Sequence, residues 1–193
     1  MKKRLFLTIL MIFAINCIYS QDTFWKKSSD QKIASLAKMD RATMPSKYQI
    51  YSLDLEALKV ALSNAPLENS NLKSDIIIQF PDYEGYLRDY KVFEAPIMEK
   101  GLSDKFPNIK TYSAQSIDDS AITLRFSITH FGLHVMSLSG KLGTFYIDTF
   151  TKDLNNYIIY SRKDVMSPRN FGCLVKDEYE LLPDKYELDN LRN

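Results

Sequence analysis

The sequence predicts an α+β fold: one β-dominated domain with a mostly antiparallel meander sheet and two short helices. Three observations carry that expectation. From Ser120 to Phe150, Ile122, Leu124, Phe126 and Ile128 alternate with Thr123, Arg125, Ser127 and Thr129, the period-two pattern of a strand with one buried face. Further β-rich runs stand at short intervals on either side, bounded by Gly, Pro, Asn or Asp, the residues that turns require. Within the domain, helical spacing is confined to two brief stretches, after Asp54 and across 97–106.

The central run continues past Gly132 with Leu133, Val135 and Leu138. Ser139-Gly140-Lys141-Leu142-Gly143 supplies a second turn, and Thr144 to Phe150 a third strand. Three strands joined by short Gly-bearing loops form a meander, about the smallest sheet that stands on its own.

Before it, Tyr48 to Leu53 reads as a strand. Asp54 follows as a helix N-cap, with Leu53 and Leu58 placed as a hydrophobic staple. The helix stops at Asn64-Ala65-Pro66, because the residue before proline is pushed out of the α region. Ile76, Ile77, Ile78 and Phe80 form a strand, Pro81 to Gly85 a turn, and Tyr86 to Glu94 its partner. On that partner, Tyr86, Arg88, Tyr90, Val92 and Glu94 share one face, Leu87, Asp89, Lys91 and Phe93 the other; the pattern does not choose between them. Leu102 and Phe106, four apart, predict a helix over Ile97–Phe106. Ile109 to Ser113 and Tyr157 to Tyr160 are further strands, the latter closed by Ser161-Arg162-Lys163-Asp164.

The ends read differently. Lys2, Lys3 and Arg4 precede an apolar run from Leu5 to Ile15, and Ser20 stands before Gln21. This is the layout of a cleaved secretory signal at 1–20, too short to span a bilayer. Cys17 raises a lipoprotein reading, opposed by Asn16 where a small residue belongs. Residues 21–45 form a loosely attached arm, with a short helix over Lys32–Met39 and Phe24 and Trp25 as exposed aromatics, either a docking anchor or a pair packed back on the domain. The domain proper is 46–166, and 167–193 is a polar tail holding Cys173. The localisation that follows is secreted, or periplasmic and envelope-bound.

Removing the signal takes three cations from the 25 basic residues, leaving 22 against 24 acidic ones. The resulting charge of −2 gives no basic field for nucleic acid or an anionic membrane. No transmembrane segment is expected. The cysteine count falls from 2 to 1, so an intrachain disulfide is excluded and Cys173 is a thiol in search of a role.

Catalytic equipment is not legible. His130 and His134 imitate half a zinc pair, but the metalloprotease motif needs Glu after the first His and a helix beneath both. Phe131, Gly132 and Leu133 intervene, so turn and sheet histidines are the competing reading. Asp118-Asp119 lacks calcium-loop spacing and reads as a solvated turn. Arg88, Lys91, Arg125 and Lys141 read as solvent-facing strand residues. Cys173 is the one metal candidate: a thiolate is a strong zinc ligand and can fill the open position of a partner's catalytic zinc. The chain itself is expected to be non-catalytic and to carry no cofactor.

Several segments carry a family likeness: YSLDLEALKVALSNAP (Tyr51–Pro66), IIIQFPDYEG (Ile76–Gly85), the run from Tyr90 to Ser137 containing IMEKGLSDKFPNIKTYSA and DDSAITLR, and GTFYIDTF (Gly143–Phe150). YIIYSRKD and a later Cys keep the same order. Over Pro45 to Cys173 the chain resembles the amino-terminal propeptide region of secreted reprolysin-like zinc metalloproteases of the Bacteroidetes type. The resemblance implies a prodomain, which precedes the enzyme, assists its folding and covers its cleft until cleaved. The chain ends soon after Cys173 with no His-Glu-x-x-His helix, so the expectation is a prodomain without its enzyme. The Cys flanks differ from cysteine-switch forms, where Gly directly follows: here Gly172 precedes and Leu174 follows.

Two functions therefore compete. One is a prodomain-like module that covers or chaperones a secreted zinc metalloprotease, with Cys173 ligating its zinc. The other is a free-standing extracellular or envelope β-rich binding module with no protease partner. An exposed strand edge that accepts an extended segment suits either.

Overall fold

The computed structural model describes residues 23–166; the signal-like first twenty residues, Cys17 among them, and the tail with Cys173 lie outside them. The described chain is an α+β domain built on a nine-stranded antiparallel sheet. Its strands are β1 (Trp25–Lys27), β2 (Gln49–Leu53), β3 (Ile77–Pro81), β4 (Leu87–Glu94), β5 (Lys110–Ser116), β6 (Ile122–Thr129), β7 (Gly132–Ser139), β8 (Phe145–Thr149) and β9 (Asn156–Ser161). Two α-helices accompany them, α1 (Leu55–Leu62) and the single-turn α2 (Lys100–Ser103), with a 3-10 turn at Arg162–Asp164.

The order across the sheet is β1-β2-β9-β8-β7-β6-β5-β4-β3. Strands β3 to β9 form one uninterrupted meander, and β2 returns to pair with β9. The sheet curls until its edges approach: the Trp25 ring on β1 lies 6.2 Å from that of Phe80 on β3. The result is a nearly closed barrel.

Alternation sets the inner face. Opposed residues of neighbouring strands share a face, so the pairs Tyr112↔Phe126, Phe126↔Val135, Val135↔Ile147 and Ile147↔Ile159 form one inward row. Tyr112 and Phe126 stack at 4.9 Å. Phe80, Tyr90, Leu133, Phe145, Ile147 and Tyr157 are all 0 % exposed. Burying each such side chain contributes about 1.5–3 kcal/mol. Helix α1 adds Leu58 and Leu62 to the same core. Its start is as the sequence predicts: the Asp54 carboxylate accepts the Ala57 N–H at 3.0 Å.

On β4 the face left open by the sequence is decided by burial: Tyr90 and Val92 point inward, both 0 % exposed. That row also carries Arg88, which is not a free solvent-facing residue. It donates to Asp82 at 2.8 Å, and Asp82, 0 % exposed, accepts the N–H groups of Glu84, Gly85 and Tyr86 as well. The β3–β4 turn is thus built around a buried carboxylate satisfied from four directions. It reaches β2 through the Tyr51 hydroxyl, which donates to the Gly85 carbonyl at 2.9 Å.

Of the two readings of Phe24 and Trp25, packing back on the domain is the one observed: Trp25 is 2 % exposed and meets Tyr51, Phe80 and Tyr157 edge-on or tilted. Phe24 packs against the same core. The region 32–39 is turn, bend and an isolated bridge at Lys38 rather than a helix, its backbone bonding to Phe150 and Lys152 instead of continuing helical turns. The predicted helix over Ile97–Phe106 shrinks to the four residues of α2, none of them buried. Leu102 and Phe106 remain 47 % and 49 % exposed, so the pair has no surface to cover.

Residues 28–46 form a strap across the outer face of β2 and β9. Ile33, 2 % exposed, joins Ile50, Phe150, Ile158 and Tyr160 in a second apolar cluster. The Lys152 N–H donates to the Ala37 carbonyl and the Met39 N–H to that of Phe150, both at 2.8 Å. Strand β9 is consequently buried on both faces, which explains the unbroken run Tyr157-Ile158-Ile159-Tyr160.

Candidate docking face

Beyond the strap, the outer face of β5 to β8 is only partly covered. Its central row is Thr111, Ser127, His134 and Asp148, set by the pairs Thr111↔Ser127, Ser127↔His134 and His134↔Asp148. The next row brings Ser113, Arg125, Met136 and Tyr146 into line. An open, mostly apolar groove of about 460 Å³ runs over these strands, with Ile97 at its border. Ile97 is 81 % exposed and Met136 37 %.

Asp148 is the polar centre of this face. Its Oδ2 accepts the Tyr160 hydroxyl at 2.6 Å and Arg41 Nη2 at 3.1 Å, while Oδ1 lies 3.1 Å from His134 Nδ1. Burial alone raises its pKa, but hydrogen bonds from His134, Tyr160 and Arg41, with the Arg41 charge, outweigh it and hold the carboxyl below its ordinary value. The Tyr160 hydroxyl is pushed upward, first by burial and then by its bond to Asp148. Arg41 also donates to the Tyr160 oxygen and lies over its ring. One carboxylate thus ties the strap, β9 and the open face together.

Arg125 is held flat by a two-point pair: its Nη1 and Nη2 donate to Glu68 Oε2 and Oε1, each at 2.9 Å. It is about half exposed, the solvent-facing strand residue that the sequence suggests. His130 lies at the two-residue turn between β6 and β7, its ring 3.9 Å from that of Phe131. The two histidines are thereby separated in role: His130 belongs to a hairpin tip, His134 to the sheet face. The Asp119 carboxylate accepts the Ala121 N–H at 3.0 Å and closes the turn into β6. Among the described residues, no three His, Cys, Asp or Glu side chains group closely enough to hold a metal ion. No helix among them is long and apolar enough to cross a membrane.

Sequence reading singles out His134 but misses its carboxylate. Tyr146 and Asp148 alternate with buried Phe145, Ile147 and Thr149, which marks them as outward-facing; nothing in the string says that Arg41, 107 positions before Asp148, lands on that carboxylate. Cys173 lies outside the described residues. No family model, curated protein or solved structure matches the chain.

Proposed function

We propose that the chain is a non-catalytic, prodomain-like module that covers a secreted zinc metalloprotease, docking through the open outer face of β5 to β8. The observation that carries the reading is the division of the outer surface. The chain covers β2 and β9 with its own strap, yet leaves the neighbouring strands open with a groove and exposed Ile97 and Met136. The inner face supports the same conclusion, since it is filled by the core side chains and binding falls to the exterior.

The place where the described chain ends adds to this. Val165 and Tyr146 both pack against the cluster of Ile33, Ile50, Phe150, Ile158 and Tyr160, and Tyr146 also lines the groove. Cys173 is seven residues past Met166, a reach of at most about 25 Å. The resemblance implies that this thiol meets a zinc held by the docked partner. Secretion, or residence in the periplasm or envelope, follows from the signal-like first twenty residues.

The test is inhibition of the catalytic domain of a secreted reprolysin-like zinc metalloprotease by the mature chain, by Cys173→Ser and by Met136→Lys. The expected result is inhibition by the mature chain and its loss in Met136→Lys. Inhibition retained in Cys173→Ser removes only the thiol. Absence of any effect from the unaltered chain rejects the protease partner and favours a free-standing binding module.

A further inference from the structure

We propose that the free edge of β3 is a docking groove for an extended polypeptide segment that carries a basic side chain. The site shares no residue with the groove over β5 to β8 and does not rest on the protease reading.

Hydrogen-bond alternation leaves this edge open. The Ile76 carbonyl accepts the Val92 N–H, and the Asp82 N–H donates to the Tyr86 carbonyl, both at 2.9 Å. Even-numbered residues along this stretch therefore bond to β4, and the N–H and C=O of Ile77 turn the other way, toward β1. No ladder meets them there, because β1 and β3 stand at opposite ends of the strand order. Strand β1 reaches β3 only near its end, where Trp25 meets Phe80. Among the described residues, neither backbone group of Ile77 has a hydrogen-bond partner.

At the beginning of β3 the seam widens into a mostly apolar groove of about 380 Å³, with Phe24, Ala61 and Ile76 in its wall. Ile77 is 50 % exposed beside it. Two carboxylates, Asp75 and Asp89, line the same groove. Asp89 Oδ1 is shut off from solvent without a hydrogen-bond partner. Lys91, opposite Ile77 on β4, forms no ion pair with either carboxylate. A carboxylate oxygen left without a donor in apolar surroundings is costly.

These features select the occupant. An unpaired strand edge recognises an extended backbone, which adds itself as a further strand. The orphaned oxygen calls for a charged donor, and a Lys ammonium or Arg guanidinium on the added segment supplies one. A metal ion is the poorer match, since among the described residues no third His, Cys, Asp or Glu joins the two carboxylates.

The experiment measures binding of fluorescein-labelled Val-Lys-Val-Lys-Val-Lys-Val to the mature chain by fluorescence anisotropy, beside its fully N-methylated form and its glutamate counterpart. The variants are Asp89→Asn and Ile77→Pro. Proline at 77 removes an N–H that β4 does not use, on an edge strand, where proline is tolerated. The unaltered chain is expected to bind the lysine peptide, and each variant to bind it at least about tenfold more weakly. The N-methylated and glutamate peptides are expected not to bind. Thermal melts report folding of each variant; should proline lower the melt, the N-methylated peptide still tests backbone pairing on the unaltered chain. Equal binding of the lysine and glutamate peptides, full binding of the N-methylated peptide, full binding by Asp89→Asn, or no binding by the unaltered chain overturns the proposal. A dimer of the unaltered chain in sedimentation, lost in Ile77→Pro, assigns the edge to a second copy and overturns it as well. None of these outcomes bears on protease inhibition, which is read separately.

Discussion

Arg41 and Asp148, 107 positions apart, meet at 3.1 Å, where the strap crosses the outer end of β8. The contact is partly shielded, with the two side chains 17 % and 23 % exposed. It joins a segment with little regular structure to the polar centre of the sheet's open face.

Replacing Arg41 with Ala is expected to cost about 1.5–3 kcal/mol, the range for hydrogen bonds to a charged group. Urea unfolding reads this as a lower midpoint at unchanged slope. Hydrogen exchange is expected to speed up at the Met39 N–H, which the strap holds against the Phe150 carbonyl. A loss confined to β3 and β4 would contradict the assignment.

Acid is expected to weaken the fold partly through the same carboxylate. Asp148 has a folded pKa below its ordinary 3.8, so it binds fewer protons folded than unfolded. Its contribution is present above that ordinary value and is lost as pH falls through the folded one. Glu68 and Asp153 are also lowered, burial being opposed by bonds from Arg125 and Ser113 to the first and from Thr151 and Asn155 to the second. Stability measured from neutral pH downward should therefore fall less steeply in Asp148→Asn than in the unaltered protein. Parallel curves would remove Asp148 from the account.

Asp82→Ala is expected to be the more damaging substitution, since it removes a fully buried acceptor and leaves the donors around it unpaired, each at a cost of about 1–3 kcal/mol. Three backbone N–H groups and Arg88 lose their acceptor together. Asp82→Asn keeps an acceptor for the backbone and should lie between the two. Chemical denaturation of the three proteins gives the order directly.

Gly132 and Gly140 offer a matched pair. At Gly132 φ is +95°, and an added Cβ would stand 2.4 Å from Thr149 Oγ1 and 3.0 Å from the Tyr157 hydroxyl oxygen. Gly132→Ala combines left-handed strain with a clash and is expected to cost at least about 2 kcal/mol. Gly140 has nothing within 4 Å of such an atom, so Gly140→Ala should stay within about 0.5 kcal/mol. Melting curves of the two variants compare them.

Much of the fold was legible because its signals are local. Asp54 sits three residues from the amide it caps, the alternation from Ile122 to Ile128 is complete, and the turn residues lie next to the strands they join. What could not be read depends on distant partners. Trp25 looks exposed until β1 pairs with β2 and carries it against Phe80 and Tyr157. Arg88 looks solvated until Asp82 turns back beneath it. On the candidate face, His134 was visible as a residue type. Its meaning was not, because the carboxylate behind it is oriented by Tyr160 and by Arg41 from the strap.

The return of β2 to β9 has a kinetic consequence. Every ladder from β3 to β9 is a hairpin between consecutive strands, so that part of the sheet can assemble as the chain lengthens. The β2–β9 ladder instead opposes Gln49 to Ile159, 110 positions later. Until the last strand exists, Tyr51 and Trp25 have no sheet to join, and the strap has no Asp148–Tyr160 pair to grip. A chain threaded through a narrow pore from its N-terminus would emerge with its first two strands unable to lock, and closure would wait for residues near 160.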